Sequence, residues 1–376
     1  MNKLSIFLNI IIIYSLLLNI VSPSFLNQDK KENYNIDKSI SLSENADKIF
    51  KQKHEINFNK LNELYNNIKQ QSLSNKKEVH ITLCFNEAYH LLASVTIASI
   101  LKNANSDTYI YFHIIALNNL SGKIMKKIFS LREKINFKSE FIFYNGEQAE
   151  IDFKEGALSS ERGIIDYARL LIPELVDNSI EKIISLDIGN IIVEKDLYEL
   201  YMKNVTDIAY FGVHDAYSKC FMKSPFNHKY EYSNGGALLL NIKKFKEINL
   251  YKYMVKMYKY LLDKTKFYRP YSDIMNDFLP WKCEEYLPLE YNMPEFIKLN
   301  INNQTDYQIW RKNCSYYYNK KDDVINAEKN VVIRNYENYP VYQGKGKGNK
   351  YMQNHWLKYA DLTGFGEEIR KKYFHR

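Results

Sequence analysis

Asp187 stands directly after the apolar run KIISL in a chain of 376 residues. Arg169 precedes it within DYARLLIPEL. After it come Asn234 in YSNGGALLLNIKKF, Asp273 in SDIMND, Arg334 in VVIRNYENYPV and Lys345 in GKGKGNK. A carboxylate at a strand end can accept hydrogen bonds from a ligand, or help to hold a hard divalent cation. A guanidinium offers a planar fork of donors that suits phosphate. The glycines around Lys345 and Lys347 let a backbone approach an anion closely, although their spacing is not that of a P-loop. Each residue also has a structural reading. Arg169 and Asp187 can pair with each other, Asn234 can satisfy a tight Asn-Gly-Gly turn, and Asp273 can cap the helix that follows. The glycine-rich run can be a solvated basic loop. His214-Asp215 and His355-Trp356 read as ordinary hydrogen-bonding residues.

The elements that must position these groups begin near Val79. VHITLCF is a buried strand, and the helical pattern after it places Leu91, Leu92, Val95 and Ala98 on one face. Tyr109 to Leu117 and Phe141 to Tyr144 are further strands. Between them Ser121 opens a basic helix with Ile124, Ile128 and Leu131 inward. DYARLLIPEL is a helix closed by Pro173. Strands follow at Lys182 to Leu186, Ile208 to Val213 and Ala237 to Asn241. Tyr251, Met254, Val255, Tyr258, Leu261 and Leu262 then form a helical stripe that reads as core packing. This alternation predicts an α/β fold with a mostly parallel central sheet and helices on both faces. Ligands bind such sheets outside the carboxyl ends of the strands, which places the chemistry just after KIISL.

Six motifs, in order, resemble glycosyltransferase family 8, a family with the GT-A-type nucleotide-diphospho-sugar transferase fold. VHITLCFNEAYHLLASVTIASILKNA is similar to its first strand and nucleotide-binding helix, which implies nucleotide-sugar binding by Asn86 and Tyr89. DYARLLIPEL resembles its Tyr-Ala-Arg-Leu helix, and KIISLDIGNIIVEKDLYEL its Asp-x-Asp strand. YSNGGALLLNIKKF, SDIMND and YLPLEYNM resemble its Phe-Asn-Ser-Gly, Asp-Gln-Asp and Leu-Pro-x-x-Tyr-Asn stretches. The likeness covers about Val79 to Phe365. It implies transfer of a sugar, with retention, from a UDP-sugar to a hydroxyl on a glycan or protein acceptor. Arg169, Arg334 and Lys345 would hold the diphosphate and Asp187 would orient the sugar or ribose. Asn234 and Asp273 would line the reacting centre as catalytic residues.

The departures bear on the metal. Two carboxylates at i and i+2 share one side of an extended backbone and can hold an ion between them. Asp187 aligns with the first metal ligand, but Gly189 stands at the second. Arg334 aligns with the family's late His ligand, and Asn86 replaces an Asp that contacts uridine. Only Asp273 remains of the Asp-Gln-Asp triplet, beside Tyr271 and Ser272. These changes imply a metal-independent enzyme with Arg334 close to Asp187. Mn2+ is implied only if Gly189 or Arg334 is misaligned. The rival reading is a catalytically inactive transferase-like protein that binds a glycan, a nucleotide or a protein.

Bulk properties set the remaining bounds. The formal charge of +8 contains no long unbroken basic tract and suits an anionic small ligand, membrane phosphates or nucleic acid alike, whereas the family resemblance implies no nucleic-acid partner. Residues 1–24 read as a signal peptide or signal anchor, because Leu4 to Val21 is apolar apart from Ser5, Asn9, Ser15 and Asn19. Either reading leads to the secretory pathway, as a luminal, single-pass membrane or secreted protein. Residues 25–76 read as a polar stem, residues 77–365 as the family 8-like domain and residues 366–376 as a basic tail. Cys84 lies in a strand and reads as a buried thiol. Cys283 with Cys314 is the most plausible bridge, with Cys220 as the remaining cysteine. Acceptor triplets for glycosylation begin at Asn119, Asn204, Asn303 and Asn313.

Overall fold

The computed structural model describes residues 77–118, 120–153, 161–215, 232–265, 275–276, 284–294, 321–336 and 350–374. The first 76 residues, Asp273, Lys345, Cys220, Cys283, Cys314 and the triplets at Asn119, Asn303 and Asn313 lie outside them.

The chain first lays down three parallel strands and their crossover helices. These are β1 (Lys77–Phe85), α1 (His90–Asn103), β2 (Thr108–Ala116), α2 (Gly122–Ile135) and β3 (Ser139–Asn145). Helices α3 (Glu147–Phe153), α4 (Glu161–Ala168) and α5 (Ile172–Leu175) lead to β4 (Lys182–Leu186). Then come β5 (Ile191–Val193), α6 (Tyr198–Tyr201), β6 (Tyr210–His214), β7 (Ser233–Asn241), α7 (Ile242–Glu247) and α8 (Leu250–Thr265). The last elements are β8 (Glu284–Leu287), β9 (Met293–Pro294), α9 (Lys321–Lys329), β10 (Ile333–Asn335), α10 (Lys350–Leu362) and α11 (Gly366–Tyr373).

Seven strands form the main sheet in the order β3-β2-β1-β4-β7-β6-β8, and β5-β10-β9 form a small second sheet. The pairs β3-β2-β1-β4 and β6-β8 are parallel. Strand β7 runs antiparallel to both of its neighbours. Its reversal brings its amino end, with Asn234, to the edge where β4 and β6 end.

The alternation of side chains along the strands builds a core on each face. Val79, Ile81, Leu83 and Phe85 of β1 pack with Ile97 of α1 and Ile128 of α2 on one face. Cys84 faces the other way, against α3, α4 and α8 through Phe153, Ile165 and Met254. Its thiol is free, 5% exposed, and burial pushes its pKa well up. Tyr251, Met254 and Tyr258 are buried as the helical stripe predicts.

Three local expectations change. Helix α1 is buried from His90 through Leu101, beyond the single stripe expected, because α10 and α11 cover Leu91, Leu92 and Val95 through Trp356 and Ile369. Pro173 does not close a helix. It sits in the first turn of α5, where its missing N–H is harmless, after α4 has tightened into a 3-10 turn at Arg169–Leu171. The segment after Phe365 is helix α11, and its Ile369 is fully buried. Among the described residues no helix is long and apolar enough to cross a membrane.

A histidine pair lies across β1 and β2. His80 Nδ1 and His113 Nε2 are 2.8 Å apart, and His113 Nδ1 lies 3.0 Å from the Tyr144 hydroxyl. Burial pulls His80 and His113 down to about 4 and about 3, from an ordinary 6.5. The unfolded chain therefore takes up these protons first as the pH falls, so stability declines from about pH 6.5 toward pH 4. Thermal unfolding between about pH 7 and 4.5 should show a falling midpoint, and a His80→Gln/His113→Gln double variant should show a shallower fall.

Candidate active site

Asp187 occupies the carboxyl end of β4, between β1 and β7. Its backbone N–H donates to Gly236 O at 2.9 Å, which sets the Asn-Gly-Gly segment of β7 beside it. Its carboxylate Oδ1 is paired with Arg169 Nη2. The rest of that guanidinium is also fixed: Nε donates to Asp166 O at 3.1 Å and Nη1 to Gly235 O at 3.0 Å. Arg169 is 5% exposed, so α4, β4 and β7 meet at one buried cation.

The backbone turns sharply after Asp187. Gly189 has a φ of +75°, a region that side-chain-bearing residues rarely adopt. Its N–H donates to Thr96 Oγ1 at 3.0 Å, and its carbonyl accepts from Trp356 Nε1 at 2.8 Å. A Cβ at this position would meet Leu92 Cβ at 2.9 Å. The turn is locked from α1 and α10, and a carboxylate at position 189 would have to displace both its own backbone and Leu92.

Asn234 forms the second feature. Its Nδ2 donates to Asp215 Oδ2 at 2.8 Å, while its Oδ1 accepts from Gly236 N at 2.9 Å and Asn292 Nδ2 at 2.8 Å. Asn335 Nδ2 donates to Asn292 Oδ1 at 2.9 Å and lies 3.4 Å from Asn234 Oδ1. The amide network joins β6, β7, β9 and β10. Sequence reasoning singled out Asn234 alone. Asn292 lay within the quoted YLPLEYNM, but nothing in its type or spacing marked it.

The structure corrects the placement of Arg334. Side chains alternate along a strand, and β10 turns Asn335, not Arg334, toward Asn234. Arg334 points the other way, where Nε donates to Glu194 Oε1 at 2.6 Å. Nη1 and Nη2 reach Glu328 at 3.0 and 3.2 Å. His355 Nε2 lies 3.5 Å from the same Glu194 oxygen. Arg334 is thus held by two carboxylates, and the partner of Asp187 is Arg169.

Asn86 and Tyr89 follow the carboxyl end of β1. Asn86 is buried, and its Oδ1 accepts from Ala88 N at 3.0 Å, capping the turn that enters α1. Tyr89, Cys84, Asp166, Arg169, Asp187 and Asn190 share the lining of a cavity of about 30 Å³. A larger cavity, about 420 Å³, opens beside His214, Pro288 and Glu290, where β6 and β8 end. Burial lowers the His214 pKa to about 4, so its ring is neutral at physiological pH.

These donors fit a divalent cation poorly. Such an ion takes several hard oxygen ligands. Asp187 is already charge-compensated by Arg169, position 189 has no side chain, and β10 offers an amide engaged with two others. Among the described residues no three His, Cys, Asp or Glu are grouped to hold a metal.

Three comparisons bear on this geometry. The family profile "Glycosyl transferase family 8" matches residues 80–333. A curated protein from Arabidopsis thaliana, "Probable galacturonosyltransferase-like 10", is 26% identical over 187 residues, which are 45% of this chain and 49% of that protein. The apo structure of the bifunctional glycosyltransferase WbbM superposes with a TM-score of 0.60 at 18% identity, over 78% of this chain and 51% of that one. An active-site mutant of LgtC gives 0.58 at 18% identity, over 76% and 95%. The chain thus spans about half the length of the curated relative and of WbbM. At these identities the structural likeness establishes the fold.

Breaking a buried ion pair by removing one partner costs about 3–5 kcal/mol. Arg334→Ala should therefore unfold at markedly lower denaturant concentration than the native chain. A variant of unchanged stability would contradict the buried Glu194–Arg334–Glu328 arrangement.

Proposed function

The chain belongs to glycosyltransferase family 8, and from that premise we propose that it transfers a sugar from a UDP-sugar to a hydroxyl acceptor, with retention and without a divalent cation. The observation that carries the proposal is the Arg169–Asp187 pair at the carboxyl end of β4, beside a Gly189 turn that leaves no room for a second carboxylate.

On this reading the chain's own groups position the reactants and stabilise charge, which together can supply most of a transfer barrier. Asp187, its geometry fixed by Arg169, accepts from hydroxyls of the donor. Arg169, whose guanidinium meets Asp187 at this strand end, is proposed as a contact for the oxygens of the nucleotide-sugar. Because Asp187 already balances its charge, the departing diphosphate needs a further cation, and Lys345 with Lys347 is proposed for that role. Asn234, held at a fixed orientation by Asp215 and Asn292, is proposed to line the reacting centre, and the resemblance assigns Asp273 the same role. The cavity beside His214 and Pro288, next to Asp215, is proposed for a glycan or protein acceptor. Retention requires the acceptor hydroxyl to enter on the face that the phosphate leaves. The hydroxyl proton then passes to the leaving phosphate oxygen, so no strong protein base is required. The apolar run from Leu4 to Val21 supports placing this activity in the secretory pathway.

The test is a hydrolysis and transfer panel of UDP-sugars with the full-length chain, run in chelator and in manganese. Turnover in chelator should match turnover in manganese, the product should keep the donor's anomeric configuration, and Arg169→Ala should lower kcat/KM by about 100-fold or more. Turnover that requires manganese would refute metal independence, and absence of turnover and binding for every donor would refute the transferase reading.

A further inference from the structure

Asn204 stands in the loop between α6 and β6 and opens the triplet Asn204-Val205-Thr206. Its Oδ1 accepts from Thr206 N at 3.0 Å and from the Thr206 hydroxyl at 2.5 Å, which closes an Asx turn. A backbone N–H can only donate, so the amide oxygen faces Thr206 and the nitrogen faces away from it. Asn204 and Thr206 are exposed, and Asn204 Nδ2 has no hydrogen-bond partner among the described residues. The turn uses the oxygen alone, and an aspartate would close it as well. The fold leaves the amide nitrogen unused.

The loop itself is fixed. Val205 is buried, and the carbonyls of Val205 and Ile208 accept from Asn241 Nδ2. Lys182 Nζ donates to Lys203 O at 3.2 Å, which sets the loop beside the amino end of β4. Strand β6, which the loop enters, runs in the same direction as β4, because β7 is antiparallel to both. Asp187 lies beyond the other end of β4, about 16 Å along the strand from Lys182. A bulky group on Asn204 therefore stands at the edge of the sheet opposite the candidate active site.

We infer that Asn204 is a modification site, carrying an oligosaccharide linked through Nδ2. The inference rests on the secretory placement proposed above, where an Asn-x-Thr triplet on a surface loop meets its donor, an oligosaccharide joined through diphosphate to a lipid. In the transfer, Nδ2 forms a bond to the anomeric carbon of the sugar. The bond from that carbon to the phosphate oxygen breaks, its electron pair leaving with the diphosphate, and one amide proton passes to a base of the transferring enzyme. The product keeps both bonds from Thr206 to Oδ1, so the turn survives the modification.

The experiment translates the full-length chain with endoplasmic-reticulum vesicles that hold the lipid-linked donor, then applies protease, enzymatic release of N-linked glycans and peptide mass mapping. In the vesicle-protected chain the peptide that contains Asn204 should carry a glycan, and release should leave an aspartate at that position. Asn204→Gln and Thr206→Ala should each lose one glycan relative to the native chain, and Thr206→Ser should retain it. These differences hold whatever the other triplets carry, and the mapping reads the native chain, so the test survives a variant that does not fold. An unmodified Asn204 in a protected chain would overturn the inference and leave the secretory placement standing. A native glycan load in Asn204→Gln would put the sugar elsewhere and overturn it equally. If the chain stays outside the vesicles and is digested, both the inference and the placement fall.

Discussion

A carboxylate at the end of a central strand must be charge-compensated, and in this protein a single guanidinium meets that demand. Asp187 sits where β4 ends, flanked by buried strands on both sides, and Arg169 pairs with it from the 3-10 turn after α4. The same guanidinium donates to the carbonyls of Asp166 and Gly235. One cation therefore ties the helical layer to β4 and to the reversed strand β7. Removing it would take one donor from a partly buried carboxylate and from two carbonyls together, and the loss at Gly235 bears on the neighbouring Asn234.

The turn at Gly189 follows from the same local arrangement. Its left-handed backbone sends the chain toward β5, and bonds from Thr96 and Trp356 hold it there. Trp356 belongs to α10, so the C-terminal helices buttress the site from behind. The missing second carboxylate is thus built into the backbone and the packing around Leu92. Gly189→Asp would meet positive-φ strain and a steric clash before it could serve as a ligand.

Much of the architecture was legible in the sequence, because buried parallel strands and their crossover helices carry strong apolar patterns. VHITLCF, KIISL and the stripe of α2 appear where those patterns place them. The site was legible as far as the meeting of Asp187, Arg169 and Asn234 where β4 ends and β7 begins, with Arg169 and Asp187 in the mutual pair that is their structural reading. It failed at Arg334, because a one-residue difference along a strand exchanges the two faces, and motif matching does not fix which neighbour points inward. The small sheet of β5, β9 and β10 decides it, and that pairing is long-range.

An arginine–aspartate pair stands where the family resemblance implies a metal. Titration of the full-length chain with manganese in the presence of UDP, followed by electron paramagnetic resonance of the free aqueous ion, addresses it without any assay of turnover. The free-ion signal should rise with added manganese as it does in UDP alone, and Arg169→Ala, by releasing Asp187, should be the variant in which some signal is lost. Stoichiometric loss of the signal with the native chain would contradict the account, because it would mean that an ion displaces Arg169 from Asp187 and recruits ligands that the pair was taken to replace.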